Sequence, residues 1–232
     1  MSAQTIETPL GPARVTPFQA ADPKAVLMLG HGAGGGINAF DLVALADELP
    51  RRGITVLLHE QPWRVAGQRI AARPVVLDQG WPPAVDWALA EYPGLPLWVG
   101  GRSAGARAAC RGFDERQAGV VCLAFPLHLP GKPDVSRIAE LAGVRGAVLV
   151  VQGQRDPFGS PEELRTAAEQ AGGTVPRIVT VPGAHSFGPR TAADRARAVE
   201  LKRTLVDAVA GFIEGARCGL SSSAQSRTQA GI

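Results

Sequence analysis

Leu97-Trp98-Val99-Gly100-Gly101-Arg102-Ser103-Ala104-Gly105 is the stretch whose reading decides the fold. Its first three residues are a short continuous apolar run, as expected for a strand covered on both faces. Residues 101–105 satisfy G-x-S-x-G, the pattern of a nucleophile elbow. In that turn the chain passes sharply from strand to helix and lifts a serine hydroxyl clear of the sheet, and the flanking glycines let the backbone double back without a Cβ clash. The pattern is only moderately specific by itself, and it gains weight from the strand before it and the short helix read after it. In the plainer alternative Ser103 merely caps a helix at a glycine-rich turn.

Outward from this stretch the chain alternates in type. Residues 5–8 and 13–18, around a Gly11-Pro12 turn, read as a hairpin. Residues 25–29, 54–58, 120–125, 147–152 and 178–181 are further strand candidates. Phe40, Leu42, Val43, Leu45, Ala46 and Leu49 recur at helical spacing, and Gly53 supplies the stop. Residues 81–90, 162–170 and 193–214 are the other long helices, and 61–74, rich in Pro and Arg, reads as a loop. Strands alternating with helices predict an α/β fold with a mainly parallel central sheet and helices on both faces. Residues 1–214 are read as one domain. Residues 215–232, rich in Ser, Gly and Gln without apolar periodicity, are expected to be a disordered tail.

Composition narrows the function classes. The 232 residues are 45% hydrophobic and 19% charged, enough for a sizeable core. No run approaches the roughly 20 apolar residues of a membrane span. The polar N-terminus lacks a secretory pattern, so the cytoplasm is the expected address. The net charge of +3 comes from scattered arginines rather than the clustered stripe that nucleic acid requires. Three cysteines, none in C-x-x-C spacing, form neither a disulfide framework nor a cysteine-rich zinc site. Cys110 and Cys122 fall in apolar segments and read as core residues. No cofactor, metal or membrane partner is expected, and the sequence is silent on oligomeric state.

A nucleophilic serine needs a base, and the base needs a carboxylate to fix its tautomer. Asp156 lies just beyond the strand at 147–152, and His185 just beyond the strand at 178–181. Ser103, Asp156 and His185 are therefore the candidate catalytic residues, on three separate loops in the chain order serine, acid, histidine. Asp134 and Asp194 are weaker acid candidates, since neither follows a strand. The plainer readings are a turn carboxylate before Pro157 and an exposed loop histidine.

The glycine-rich loop Gly30-His31-Gly32-Ala33-Gly34-Gly35-Gly36 would supply one oxyanion donor. Ala33 is the candidate, with Gly34 behind it, and the amide of Ala104 is the second donor. His31 is read as organising the loop. The same loop literally satisfies G-x-G-x-x-G, with Glu60 at the end of the next strand, so a dinucleotide-binding oxidoreductase is a rival. That rival leaves the elbow and the Asp156 and His185 loops unexplained. Trp63 and His128 follow strands and are candidate substrate contacts. Arg64, Arg102 and Arg155 fall in or beside strand-end loops, where they would lend the mouth positive charge.

Together, Gly30 to Gly35, Gly100 to Gly105, Phe125-Pro126-Leu127-His128, Gln152 to Gly159 and Gly183-Ala184-His185-Ser186-Phe187 resemble the small, lidless α/β-hydrolases of bacteria. These are similar to dienelactone hydrolases and to the hydrolase-like domain of a scaffold subunit in an animal chromatin complex. The resemblance implies the α/β-hydrolase fold without a large lid, with nucleophile, acid and base at Ser103, Asp156 and His185. Dienelactone hydrolases use a cysteine nucleophile, so Ser103 departs from them. The expected activity is that of a cofactor-independent serine hydrolase acting on a small ester, thioester or amide through an acyl-enzyme. The alternative from another class is a non-catalytic interaction module.

Overall fold

The computed structural model describes the backbone of residues 2–69, 73–188 and 192–229, and side chains over the same residues except Val75, 192–194 and 218–229. In chain order the elements are β1 (Gln4–Ile6), β2 (Ala13–Phe18), β3 (Ala25–Gly30), α1 (Phe40–Glu48), β4 (Ile54–Glu60), the one-turn helices α2 (Pro62–Val65) and α3 (Pro74–Leu77), α4 (Trp81–Glu91), β5 (Leu97–Arg102), α5 (Ala104–Arg111), β6 (Gly119–Leu123), α6 (Ile138–Ala142), β7 (Ala147–Gly153), α7 (Pro161–Ala171), β8 (Arg177–Val181) and α8 (Ala192–Gln229).

The eight strands form one sheet in the order β1-β2-β4-β3-β5-β6-β7-β8. The hairpin β1–β2 attaches antiparallel to β4, and every later pairing is parallel. Strand β3 lies between β4 and β5, so the chain winds away on one side and returns on the other. A crevice opens at the carboxyl ends of strands where the winding reverses. Gly30 and Gly101 are register partners there, which brings the glycine-rich loop and the elbow together.

The continuous apolar strands are explained by two cores. Along β3, Val26 and Met28 face a cluster with Trp81, Ala84 and Val85 of α4, Ala106, Ala109 and Cys110 of α5, and Leu164 of α7. Ala25, Leu27 and Leu29 face the other side, where Leu42 and Leu45 of α1 meet Leu205, Val209 and Ile213 of α8. Each fully buried Leu, Val or Ile contributes about 1.5–3 kcal/mol relative to exposure, so α1 and α8 are fixed by a few side chains each.

Three local readings change. Strand β6 ends at Leu123, because Ala124 takes a φ of 50° and leaves the ladder. The loop at 61–74 contains one proline-started helical turn, α2, and runs into a second, α3, at Pro74, with residues 70–72 outside the described set. Helix α8 runs on to Gln229 through the segment expected to be an irregular tail, and Ala216 still packs on the core. A glycine inside a helix costs only about 1 kcal/mol, so Gly215 does not act as a stop after so well anchored a helix. No helix among the described residues is long and apolar enough to cross a membrane.

Candidate active site

Ser103 stands at the turn between β5 and α5 with φ 52° and ψ −108°. A non-glycine residue there stores about 1–3 kcal/mol of strain and persists only where its surroundings over-determine it. The Ser103 amide donates to the Leu123 carbonyl at 2.9 Å. The flanking glycines are required by close approach. A Cβ on Gly101 would lie 2.9 Å from the Gly30 nitrogen, and one on Gly105 would lie 2.5 Å from the Gly30 carbonyl carbon and 2.8 Å from the His31 oxygen.

The loops after β7 and β8 continue to pair beyond the strands, through Gln154 N–H to Val181 O (2.8 Å) and Arg155 N–H to Gly183 O (2.9 Å). This sets Asp156 beside His185. His185 Nδ1 lies 2.8 Å from Asp156 Oδ2, and His185 Nε2 lies 2.9 Å from Ser103 Oγ. The Asp156 side chain is fully buried, and its Oδ1 accepts from the Phe158 amide at 2.9 Å. Because the carboxylate accepts at both oxygens, the Nδ1 proton points to it and Nε2 is left to accept the serine proton. The Phe158 ring lies against the imidazole, with centroids 4.2 Å apart. Ser103 makes no side-chain cap bond and His185 is mostly buried, while Asp156 does hold its own turn through the Phe158 amide and meets the histidine as well. Asp134 is exposed, and the side chain of Asp194 lies outside the described residues.

Ser103, His185, Ala33, Gly34 and Ala104 line one cavity of about 570 Å³. Among the described residues, neither the Ala33 nor the Ala104 amide donates a hydrogen bond within the protein. The Ala104 amide is one of the orphan donors of a helix N-terminus, so both amides are free for an external acceptor. His31 organises the loop, as read. Its Nδ1 donates to Gly32 O at 2.9 Å, and its Nε2 accepts from the Gln61 amide at 3.1 Å. Burial lowers its pKa below the ordinary histidine range. His59 behind it is wholly enclosed, and burial pulls its pKa down to about 3.

Two expected substrate contacts are placed elsewhere. Trp63 is buried with its ring edge-on to His31 at 5.3 Å, so it supports the glycine-rich loop from behind. His128 is also buried, its Nδ1 donating to Leu129 O at 2.9 Å and its Nε2 lying 3.6 Å from Glu163. Neither lines the cavity. A strand-end position brings a loop to the mouth without deciding which side chain turns inward.

The arginines are redistributed likewise. Arg102 donates through Nη1 to the buried Asp41 (2.8 Å) and through Nη2 to the His185 carbonyl (2.7 Å), so it clamps the histidine loop. Arg64 and Arg155 do not line the cavity, whereas Arg107 and Arg137 do. Sequence reasoning also missed Gln152. Its amide nitrogen lies 3.1 Å from Asp156 Oδ2 and 2.7 Å from the Gly159 carbonyl, holding the acid loop in shape. A polar residue ending the apolar run at 148–151, four before the acid, is the signal that could have found it.

Solved structures share this architecture. An alpha-beta serine hydrolase homologue from Coxiella burnetii is 19% identical with a TM-score of 0.71, over 88% of this chain and 95% of that one. A serine hydrolase without a lid from Xanthomonas campestris is 20% identical with a TM-score of 0.65, over 90% and 93%. Est1E from Butyrivibrio proteoclasticus is 14% identical with a TM-score of 0.65, over 90% and 100%. Residues 23–214 match the family described as Alpha/beta hydrolase domain. With most of its length inside that match, the chain belongs to the alpha/beta hydrolases and has their fold.

Proposed function

We propose that the protein is a cofactor-independent serine hydrolase that cleaves a small ester, thioester or amide through an acyl-enzyme at Ser103. The observation that carries this reading is the chain from Ser103 Oγ to His185 Nε2 (2.9 Å) and from His185 Nδ1 to Asp156 Oδ2 (2.8 Å), opening on one cavity. His185 takes the serine proton as Oγ attacks the carbonyl carbon, and returns it to the leaving group. Asp156 holds the imidazole in the required tautomer and stabilises its cation. The amides of Ala33 and Ala104 receive the oxyanion, each donor supplying about 3–4 kcal/mol where the charge develops. Water, activated by the same histidine, then releases the acid.

A fluorophosphonate probe tests the reading directly. Wild type should be labelled and Ser103→Ala should not, and Asp156→Asn should lower turnover about ten-thousand-fold. Double variants within Ser103, Asp156 and His185 should lose little more than the single ones, because the three act as a unit. Failure of wild type to label would reject the hydrolase reading in favour of a non-catalytic interaction module.

A further inference from the structure

Three guanidinium groups line the cavity that holds Ser103, and no described carboxylate does. Two of the three have partners. Arg102 is paired with Asp41, and Arg107 donates twice to Glu140, at 2.8 and 2.5 Å. Glu140 also receives Arg111 Nη1 at 3.0 Å, and Arg111 itself makes two bonds to Asp78, at 2.8 and 2.6 Å. Among the described residues the ion pairs of this cluster join Arg107 and Arg111 to Glu140 and Asp78, and Arg137 makes none.

Arg137 is half-buried, and among the described residues its guanidinium makes one hydrogen bond, from Nη1 to the Pro126 carbonyl at 3.2 Å. Among the described residues it has no ion pair. Burial, and next the neighbouring Arg107, lower its pKa, and Glu140, already shared by Arg107 and Arg111, offsets this only in part. Its main chain is pinned by an amide bond to Leu127 O at 2.7 Å, so the head group is offered to the cavity from a fixed base. A planar guanidinium with free donors matches a carboxylate in charge and in fork geometry.

We propose that Arg137 is a substrate-binding residue that receives a carboxylate, so that substrates bearing one are preferred over neutral ones of equal size. This rests on the hydrolase reading above and narrows its substrate class. The effect differs from diffuse steering. A contact inside a half-buried cavity is screened by salt much less than a field between exposed charges.

The test compares thioesters of N-acetylcysteamine, a neutral leaving group, carrying succinyl or butyryl acyl groups. A third substrate, the butyryl thioester of 3-mercaptopropionate, moves the carboxylate to the leaving side. Wild type should favour one carboxylate-bearing thioester in kcat/KM by about tenfold or more, the size of one charge-assisted hydrogen bond. Which of the two is favoured shows the side on which Arg137 acts. In Arg137→Gln the ratio should collapse towards one, with Arg137→Lys between. Measuring all substrates on one preparation cancels any loss of folded enzyme from the ratio. A wild-type ratio near one would overturn the proposal, as would a preference that survives Arg137→Gln or vanishes by 0.5 M salt. Calorimetric titration of glutarate supplies a readout independent of turnover. Binding to wild type that is lost in Arg137→Gln supports the site, and equal or absent binding rejects it. Where glutarate binding is equal or absent, fluorophosphonate labelling that persists shows that the anion site has failed and not the nucleophile.

Discussion

The pair Arg102–Asp41 offers a quantitative test of how the histidine loop is held. The Asp41 side chain is 1% exposed and that of Arg102 14%, so little solvent screens the 2.8 Å contact. Removing one partner of such a pair strands the other, at a cost of about 3–5 kcal/mol. Arg102→Met leaves Asp41, among the described residues, with the Leu42 amide at 3.1 Å as its remaining donor, and should lose stability in that range. Asp41→Asn keeps a neutral acceptor beside an arginine that still reaches the His185 carbonyl, and should cost about 1–2 kcal/mol. The double variant strands no charge and should be more stable than Arg102→Met alone, giving a coupling of about 2 kcal/mol in a double-mutant cycle. Urea unfolding followed by circular dichroism reads all four proteins. Fluorophosphonate labelling should behave differently. The double variant still lacks the bond to the His185 carbonyl, so its labelling rate should stay as low as that of Arg102→Met. Additive stabilities, or an Arg102→Met protein within about 1 kcal/mol of wild type, would refute the buried-clamp reasoning.

Other outcomes follow from the same geometry. His59 has a folded pKa of about 3 against about 6.5 unfolded. The unfolded chain therefore binds the proton first, and stability present above about pH 6.5 is lost as pH falls, by about 2 kcal/mol at pH 5. His59→Leu should flatten the stability profile between pH 7 and 5 by that amount, and an unchanged slope in urea titrations would reject it. Gln152→Leu should cut the labelling rate about tenfold and cost about 1–3 kcal/mol by leaving buried carbonyls unpaired. Wild-type labelling by that variant would remove Gln152 from the positioning of Asp156. Deletion of residues 218–232 should leave the melting temperature unchanged, because that sequence lacks the apolar spacing needed to dock. A loss of more than a few degrees would show that it packs on the domain.

The fold was legible where burial is two-sided. Strands β3, β5, β6 and β7 carry unbroken apolar runs because helices cover both faces of the sheet. Ser103, Asp156 and His185 were legible as a group because each follows a strand in a fixed chain order, and the order constrains more than any one motif. What escaped was every partner fixed by distance in space alone. Asp41 and Arg102 are 61 positions apart, and nothing local in Phe40-Asp41-Leu42 announces a buried ion pair. Trp63 and His128 were placed in the correct loops but turned the other way, since the rule that ligands bind at strand ends says nothing about rotamers. Of the arginines expected at the mouth, Arg102 lines the cavity, while Arg64 and Arg155 turn elsewhere for the same reason. Arg107 and Arg137 reach the cavity from the body of α5 and from a loop far beyond β6, where no strand-end rule looks.

Two polar chains converge on His185. From its ring one runs through Asp156 to the Gln152 amide, and from its carbonyl the other runs through Arg102 to Asp41. The second begins at the residue immediately before Ser103, so the elbow that strains the serine also carries the clamp that holds its partner. A φ of 52° persists only where its surroundings hold it, and Arg102 ties the elbow to the histidine loop. Serine and imidazole sit at hydrogen-bond distance in the protein alone, and under the proposed hydrolase reading attack would require little further reorganisation. Rigidity of this kind commits Arg102 and Arg107 to internal carboxylates. Under the proposal above, choice of substrate by charge would fall to Arg137, the one lining guanidinium that the fold leaves without a described ion pair.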